Sequence, residues 1–449
     1  MGEKYRLSKY NFIVEEKGLL LIYNSFSGAL SVMEKEEWAL LNELLKGQSQ
    51  NFTEEQHIFL DKALINNYAV PADVNETEIL EEKYWKRKGD STSMTLTILP
   101  TLGCNFACNY CFQGIRKEAA KMPAETQDCL LEWFEKHLDG VKQVNVTWFG
   151  GEPTLGMDIV RRLSDRMIAM CDKRGIQYGA SIITNGSLLD LETVGELYVR
   201  RISFFQVTID GPAQVHDKVR FDRKTKEGSF DKIIANIKSY EKVYPVRTTL
   251  RINVDSRNEE TCFLLLDELA GKLQGIPNTS VYFAPIHAST SHCAHISAYT
   301  LEIMHYAELE TKLLSYALDK GLAGIGMPPM SMGLCGAARK YGLVIVPNGD
   351  VHKCWETVSM PEYRIGSIGD KTFSLEENSK EWHQWSPFEE EECRNCRILP
   401  NCLGMCTYRF LYKENYWGNS ALSPCPALKY EIENRLKMYV KKYYSDLFQ

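Results

Sequence analysis

The sequence predicts an α/β protein built on an open, partial (β/α)6 barrel, with a small mixed unit before it and a cysteine-rich tail after it. Three observations carry this. From Met94 onward, short apolar runs alternate with helical patterns, the rhythm of βαβ units and a parallel sheet. Four loops of distinctive composition close the first four strand patterns, on the rim where such barrels carry function. Seven of the 14 cysteines lie at or beyond Cys335, which leaves too little chain for an eight-unit barrel.

A chain of 449 residues exceeds one ordinary domain. The expected division is residues 1–88, 89–325 and 326–449. Lys and Arg total 52 against 59 Asp and Glu, a net charge of -7 with no basic stripe, so nucleic acid is not an expected partner. The N-terminus "MGEKYRLSKYNF" has no apolar core of a signal peptide, and no stretch approaches the length of a membrane span. The chain is expected to be cytoplasmic, where cysteines serve as ligands or thiols more often than as disulfides.

In the N-terminal unit, "NFIVEEKGLLLIYNSFSGALSVM" reads as two or three short strands with turns at Lys17-Gly18 and Ser27-Gly28. A helix follows over 34–45, with Trp38, Leu41 and Leu45 on one face. Further patterns are a helix near 54–65, a strand near 68–70 and a charged helix over 76–87, before the linker "KGDSTS". A DNA-reading winged helix has a similar topology, but the acidic balance of the segment counts against it.

In the barrel, strands are expected at 94–100, 144–149, 178–184, 204–209, 247–254 and 281–285. Helices fill the gaps at 124–138, 159–173, 191–199, 230–243, 259–273 and 301–318. The first rim loop, "TLGCNFACNYCFQG", holds Cys104, Cys108 and Cys111 in a C-x3-C-x2-C spacing. Zinc is the competing reading, but a closed structural zinc site wants four ligands, and no fourth Cys or His is nearby. A cubane cluster held by three thiolates instead keeps one iron open. The next loops are "FGGEP" with Gly150, Gly151, Glu152 and Pro153, "TNG" with Thr184 and Asn185, and "TIDGP" with Thr208 and Asp210. The paired glycines leave room for backbone to approach a ligand.

The cysteine spacing, with Tyr110 before the last cysteine, resembles the signature of the radical S-adenosylmethionine enzymes. That resemblance implies a 4Fe-4S cluster on the three cysteines, whose open iron chelates the methionine moiety of S-adenosylmethionine. It also implies that the GGEP segment contacts the amino group, and that Thr184, Asn185 and Thr208 face the cofactor. The succession "DGPAQVHDKVRFDRKTKEGSFDKI" is similar to a stretch of the same family. Arg220 within it is a candidate carboxylate partner or a surface arginine, and Asp210 a structural residue or a participant in proton transfer. His216 reads as a hydrogen-bonded structural histidine. Arg251 and Asn253 share one face of the fifth strand and would sit near the cofactor if that face points inward.

The tail runs Cys335, Gly349, Cys354, then Cys393-x2-Cys396-x5-Cys402-x3-Cys406 and Cys425. This resembles the SPASM extension of the family, the alternative being a double zinc ribbon. The resemblance implies two auxiliary 4Fe-4S clusters. Cys393, Cys396, Cys402 and Cys425 would ligate one fully; Cys335, Cys354 and Cys406 would hold the other. The stretch "AGIGMPPMSMGL" before Cys335 supplies no eighth cysteine, and Cys293 lies far upstream. An open iron there would suit a substrate thiolate. Cys129, Cys171 and Cys262 fall in helical patterns and read as buried hydrophobes.

The N-terminal unit is similar to peptide-recognition elements of maturases, which add a leader peptide as a strand to a sheet edge. The implied function is therefore a radical peptide maturase that joins a cysteine sulfur to carbon in a ribosomally made precursor, the sactipeptide or ranthipeptide type. It would draw electrons from a flavodoxin- or ferredoxin-type reductant. The alternatives are a carbon-carbon crosslinking maturase, an anaerobic sulfatase-maturating enzyme that forms formylglycine, and a non-enzymatic iron-sulfur electron carrier or peptide chaperone.

Overall fold

The computed structural model describes residues 4–47, 52–114, 120–328, 334–421 and 423–448. Residues 329–333, part of the stretch read for an eighth cysteine, lie outside them. The chain opens with strands β1 (Tyr5–Leu7), β2 (Asn11–Glu16), β3 (Leu19–Asn24) and β4 (Leu30–Met33), and helices α1 (Lys35–Lys46) and α2 (Glu54–Ile65). Strand β5 (Ala69–Pro71) and helix α3 (Glu76–Lys88) follow. Strands β2, β3 and β4 form an antiparallel sheet, and β1 pairs with β5. Lys17 (φ 49°) and Gly18 (φ 90°) supply the two left-handed residues that a tight hairpin between β2 and β3 requires. One face of this sheet, through Phe12, Val14, Leu21 and Tyr23, packs on Leu428, Ile432, Leu436 and Val440 of the C-terminal helix Leu428–Tyr443. On the other face Ile22 meets Leu41, Leu45, Leu60 and Tyr68.

The central sheet is mostly parallel. Its strands β6 (Ser93–Ile98), β7 (Gln143–Trp148), β8 (Gln177–Thr184), β9 (Ile202–Thr208), β10 (Arg247–Val254) and β11 (Thr279–Pro285) lie side by side in chain order. Between them run α4 (Ala124–Lys136), α5 (Met157–Lys173), α6 (Leu191–Val199), α7 (Ala213–Val219), α8 (Phe230–Tyr240) and α9 (Thr261–Lys272), and α10 (Ile303–Asp319) follows β11. The helix-covered face of these strands is apolar: Leu96, Ile98, Val144, Val146, Trp148, Phe205, Val207, Leu250 and Ile252 are all buried in one core, while the alternate positions, among them Thr97, Thr147, Gln206, Arg251 and Asn253, turn to the opposite face.

The sheet does not stop at six strands. A short tail strand, β12 (Gly342–Ile345), pairs in parallel with β6, and β13 (Asp350–His352) and β14 (Gly366–Ser367) add antiparallel to it, giving nine strands. The tail thus completes the β6 edge of the sheet. Helix α7 has no counterpart in the expected helices, because its seven residues span less than two turns of pattern. Among the described residues no helix is long and apolar enough to cross a membrane.

Candidate active site

The cysteine loop leaves β6 and lies across the carboxyl ends of the next two strands. Its backbone fixes its course: the Gly151 amide donates to the Thr101 carbonyl at 3.1 Å, and the Glu152 amide to the Gly103 carbonyl at 2.8 Å. A β-carbon on Gly150 would collide with the Thr101 carbonyl, and one on Gly151 with the carbonyls of Leu102 and Gly103. The glycines therefore answer to the close passage of the cysteine loop, not only to a ligand. Asn105 ties the loop to the "TNG" turn, accepting from Asn185 Nδ2 at 2.8 Å and donating to Ser187 Oγ at 3.0 Å.

Glu152 is fully buried, and both its oxygens are engaged within the chain. One accepts from the Thr154 amide (3.1 Å), the Thr154 hydroxyl (2.6 Å) and the Thr184 hydroxyl (2.7 Å); the other accepts from the Asn185 amide (2.8 Å). The carboxylate thus braces the second loop to the third. The surface that this segment turns outward is backbone, and the Gly150 carbonyl already accepts from Gln113 Nε2 at 3.2 Å. Gln113 Oε1 has no hydrogen-bond partner among the described residues although it is buried. Pro153 is buried behind the turn.

Opposite this edge lies a buried polar network. Tyr110 donates its hydroxyl to the Asp210 carboxylate, and Arg220 Nη1 donates to the same hydroxyl at 2.7 Å. Asn253 Nδ2 donates to Asp210 Oδ1 at 3.1 Å, and Arg220 Nη1 stands 3.9 Å from Asp210 Oδ2. Arg220 also reaches Cys108 Sγ at 3.6 Å, which brings a guanidinium to the cysteine loop. Burial pushes the Asp210 carboxyl above its ordinary value, and Arg220, Tyr110 and Asn253 hold the shift back. The Cys108 thiol is pushed up to about 12, again by burial and against the pull of Arg220. His216 supports the network from behind. Its Nδ1 accepts from the Asp210 amide at 3.2 Å and its Nε2 meets Ser229 Oγ at 2.9 Å, while burial keeps the ring neutral.

Arg251 and Asn253 share the inward face of β10: Arg251 Nε donates to Asn253 Oδ1 at 2.8 Å, and Nη1 to Tyr282 Oη at 3.3 Å. Thr208 lies beside Arg251 in the parallel register and is buried. Three residues outside every motif converge here from the far side. Glu356 donates nothing and accepts from Ser289 Oγ at 2.5 Å. Its carboxyl is raised by burial and acted on by both Arg251 and Arg409. His287, packed edge-on to Tyr416, is held neutral by burial and by the same two arginines, with its value lowered to about 3. Lone polar residues carry no sequence signature, and only the approach of the tail to the barrel reveals them.

In the tail, Cys393, Cys396, Cys402 and Cys425 line a single cavity together with apolar residues such as Ile398, Leu399 and Phe410, with Glu392 and Lys429 also on its wall. Cys335, Cys354 and Cys406 form a second group, packed among Trp382, Tyr408 and Tyr416, and the Cys335 thiol acts electrostatically on the other two. Burial raises the thiols of Cys393, Cys402 and Cys406 to about 12 each. Among the described residues, no three His, Cys, Asp or Glu stand close enough to share one metal ion. The four cysteines of the first group share one cavity, and as a donor set they fit an iron-sulfur cluster, whose cations would stabilise buried thiolates. Cys293 belongs to neither group; it is buried beside Tyr110 and Phe112 and faces the Thr290 carbonyl at 3.5 Å. All 14 cysteines are thiols, not half-cystines, and Cys171 and Cys262 are buried in helices.

Residues 98–267 match the Radical SAM superfamily and form a domain of that kind. A cysteine-type anaerobic sulfatase-maturating enzyme of Clostridium novyi (strain NT) is 28% identical over 344 residues, 70% of this chain and 88% of its own. The radical SAM cyclopropyl synthase TigE of Paramaledivibacter caminithermalis is 24% identical over 263 residues, 52% of this chain and 53% of its own. Among solved structures, native anSMEcpe with bound AdoMet and Cp18Cys peptide superposes with a TM-score of 0.55 at 18% identity, covering 79% of this chain and 98% of that one. SuiB of Streptococcus suis bound to S-adenosylmethionine gives 0.50 at 18% identity, covering 92% and 99%. The fold is that of radical SAM enzymes, and the sequence is similar to those of a sulfatase-maturating enzyme and a radical SAM cyclopropyl synthase.

Proposed function

We propose that this oxidoreductase is a radical S-adenosylmethionine peptide maturase that joins a cysteine sulfur to a carbon of a ribosomally made precursor peptide. The observation that carries the reading is the grouping of ten cysteines into three sets: one on the barrel rim against Arg220, and two in a tail that completes the barrel's own sheet. Cys104, Cys108 and Cys111 would hold the radical cluster, Cys393, Cys396, Cys402 and Cys425 a saturated auxiliary cluster, and Cys335, Cys354 and Cys406 one with an open iron. When bound, cluster and S-adenosylmethionine together supply a 5'-deoxyadenosyl radical that abstracts hydrogen from the peptide.

The chain's residues then have distinct tasks. The Gly150 and Gly151 backbone, with Gln113 behind it, would meet the amino end of S-adenosylmethionine, while Glu152 and Pro153 hold that turn in place. Thr184, Asn185 and Thr208 would line the cofactor's side of the rim. Tyr110, Asp210 and Arg220 would orient the loop and fix its charge, and Arg251 and Asn253 would lie toward the cofactor. Glu356, beside Ser289, is placed to accept a proton from a substrate thiol. Residues 1–88 would bind the leader of the precursor at the edge of β4, which pairs with β3 alone among the described residues. Residues 89–325 would supply the barrel and 326–449 the auxiliary clusters, with a flavodoxin or ferredoxin as reductant.

A second reading is favoured by the Clostridium novyi relative: an anaerobic sulfatase maturase, which acts on a Cys or Ser of a protein client. One experiment separates the two. The reconstituted enzyme is incubated with S-adenosylmethionine, dithionite and either cysteine-rich precursor peptides fused to their leaders or a sulfatase-derived peptide, and products are read by mass spectrometry. A loss of about two mass units per crosslink in the precursor, abolished by prior thiol alkylation, supports the thioether reading. Formylglycine in the sulfatase peptide alone replaces it. No 5'-deoxyadenosine under any condition returns the chain to an electron carrier.

A further inference from the structure

Arg251 carries a charge that no carboxylate among the described residues takes up. It is half-buried on the inward face of β10. Its Nε donates to Asn253 Oδ1 at 2.8 Å and its Nη1 to Tyr282 Oη at 3.3 Å, and both acceptors are neutral. The guanidinium carbon lies 5.9 Å from the centroid of the Tyr282 ring, and the two residues are direct partners in the register of β10 and β11. Among the described residues Arg251 forms no ion pair, and its Nη2 has no hydrogen-bond partner. Two of the five N–H groups of the guanidinium are thus used, and three remain.

Its place is fixed from both sides. Toward the rim, Asn253 stands between Arg251 and Asp210, donating Nδ2 to Asp210 Oδ1 at 3.1 Å, and Asp210 accepts in turn from Tyr110 of the cysteine loop. Toward the tail, the charge of Arg251 acts on Glu356 and His287. The carboxyls on either side are engaged by other groups: Asp210 by Tyr110, Asn253 and Arg220, and Glu356 by Ser289. Arg220 is itself held to Tyr110 and Cys108, so the cysteine loop has a guanidinium of its own.

A guanidinium partly withdrawn from water, with only neutral acceptors, gains most from a carboxylate that meets two of its N–H groups at once. We infer that Arg251, oriented by Asn253 and Tyr282, binds a carboxylate of the precursor peptide, supplied by an Asp or Glu side chain or by the peptide C-terminus. The inference rests on the functional reading above and names the substrate class for that site. Selection then turns on charge more than on shape, because an amide in place of the carboxylate fills the same space and leaves the guanidinium unpaired. Asn253 and Tyr282 are positioning residues, since they act through Arg251.

The test uses full-length, anaerobically reconstituted enzyme and the leader-fused precursor peptides of the experiment above, each made in three versions: unchanged, with every Asp and Glu after the leader changed to Asn and Gln, and with a C-terminal amide. Wild type and Arg251→Gln are compared by the ratio of kcat/KM between versions, which cancels any loss of overall activity in the variant. Wild type is expected to favour the carboxylate version by about tenfold or more, mainly through KM, over one of the two neutralised versions, which identifies the source of the carboxylate. In Arg251→Gln that ratio should fall to within about twofold of one. Should Arg251→Gln fail to hold iron, Tyr282→Phe decides, with a smaller fall in the same ratio. Equal use of all three versions by wild type, or a ratio unchanged in the variant, overturns this inference alone. So does a variant that only demands more S-adenosylmethionine, which would give Arg251 to the cofactor. A wild-type enzyme that crosslinks none of the peptides overturns the functional reading and this inference with it.

Discussion

Tyr110 donates its hydroxyl to the carboxylate of Asp210, a contact that spans 100 residues of sequence and joins the cysteine loop to the end of the fourth barrel strand. Arg220 donates to the same hydroxyl and reaches Cys108, so one buried guanidinium serves both the loop and the carboxylate. Removing it strands a buried acid. Arg220→Met is expected to destabilise the protein by ~3–5 kcal/mol, the usual result of breaking a buried pair from one side. The double variant with Asp210→Asn should recover a large part of that loss. Urea denaturation of the four members of the cycle measures the coupling, and a double variant no more stable than Arg220→Met would show that the two residues do not act as a pair.

The glycine pair makes a prediction of its own. Gly151→Ala would drive a methyl into the carbonyls of Leu102 and Gly103, and it cannot be absorbed without moving the cysteine loop. The expected outcome is loss of about four irons from the reconstituted protein, with the tail clusters retained. Gly271→Ala is the control. Gly271 lies within α9 and nothing stands within 4 Å of an added methyl, so that variant should keep its iron and gain up to about 1 kcal/mol from helix propensity. Iron content and the thermal midpoint of each variant check both statements.

The rim motifs were legible because each combines a strand pattern of period two with a short, unusual turn, and both signals are local. The passage of the cysteine loop over Gly150 and Gly151 was not legible, since it joins segments some fifty residues apart that share no pattern. Glu152 read only as part of a segment that contacts the amino group of S-adenosylmethionine, and its bonds to Thr184 and Asn185 exist only once β7 and β8 lie side by side. Strand β12 escaped notice because four residues, Gly342–Ile345, are too few to carry periodicity inside a cysteine-rich tail. Glu356, Arg409 and His287 share a simpler reason. A lone charged residue looks like surface until tertiary structure buries it.

Stability should depend on pH through a carboxylate cluster between the C-terminal helix and α10. Arg435 of the C-terminal helix stands between Glu431 (2.5 Å) and Glu310 of α10 (3.3 Å), and Tyr306 donates to Glu310 at 3.2 Å. Burial, and then the neighbouring Glu431, push the Glu310 carboxyl above its ordinary value, while Arg435 opposes them. The unfolded chain releases this proton near the usual glutamate pKa of ~4.3. Between that pH and the raised folded value the folded protein binds more protons than the unfolded one, so stability falls as pH rises through the window and levels off above it. Glu310→Gln should flatten that fall. Denaturation midpoints measured from about pH 5 to about pH 8 test the sign, and a slope unchanged by the substitution would assign it to other groups.

The two tail groups should also differ in what they hold together. Cys393 and Cys396 pack against Tyr10, Leu80 and Tyr84, and Cys396 and Cys402 against Phe12, Leu21 and Tyr23 of the N-terminal sheet. Polar ties run the same way: Asn401 Nδ2 donates to Tyr23 Oη at 2.9 Å, and Ser25 Oγ to the Arg397 carbonyl at 2.5 Å. Cys335, Cys354 and Cys406 pack instead among Trp382, Tyr363, Tyr408 and Tyr416, with no part of that sheet. If clusters occupy both groups, emptying each one should loosen a different region, because a cluster's binding energy is released to whatever its ligands brace. A Cys393 and Cys396 to Ala variant is therefore expected to speed amide hydrogen exchange in β2 and β3, by about tenfold or more for each ~1.4 kcal/mol of lost local stability. Cys354 and Cys406 to Ala should leave β2 and β3 as protected as wild type and expose the aromatic group around Tyr408. Equal effects of the two variants on β2 and β3 would mean that the groups are not separate, and that the division of tail cysteines into four and three is wrong.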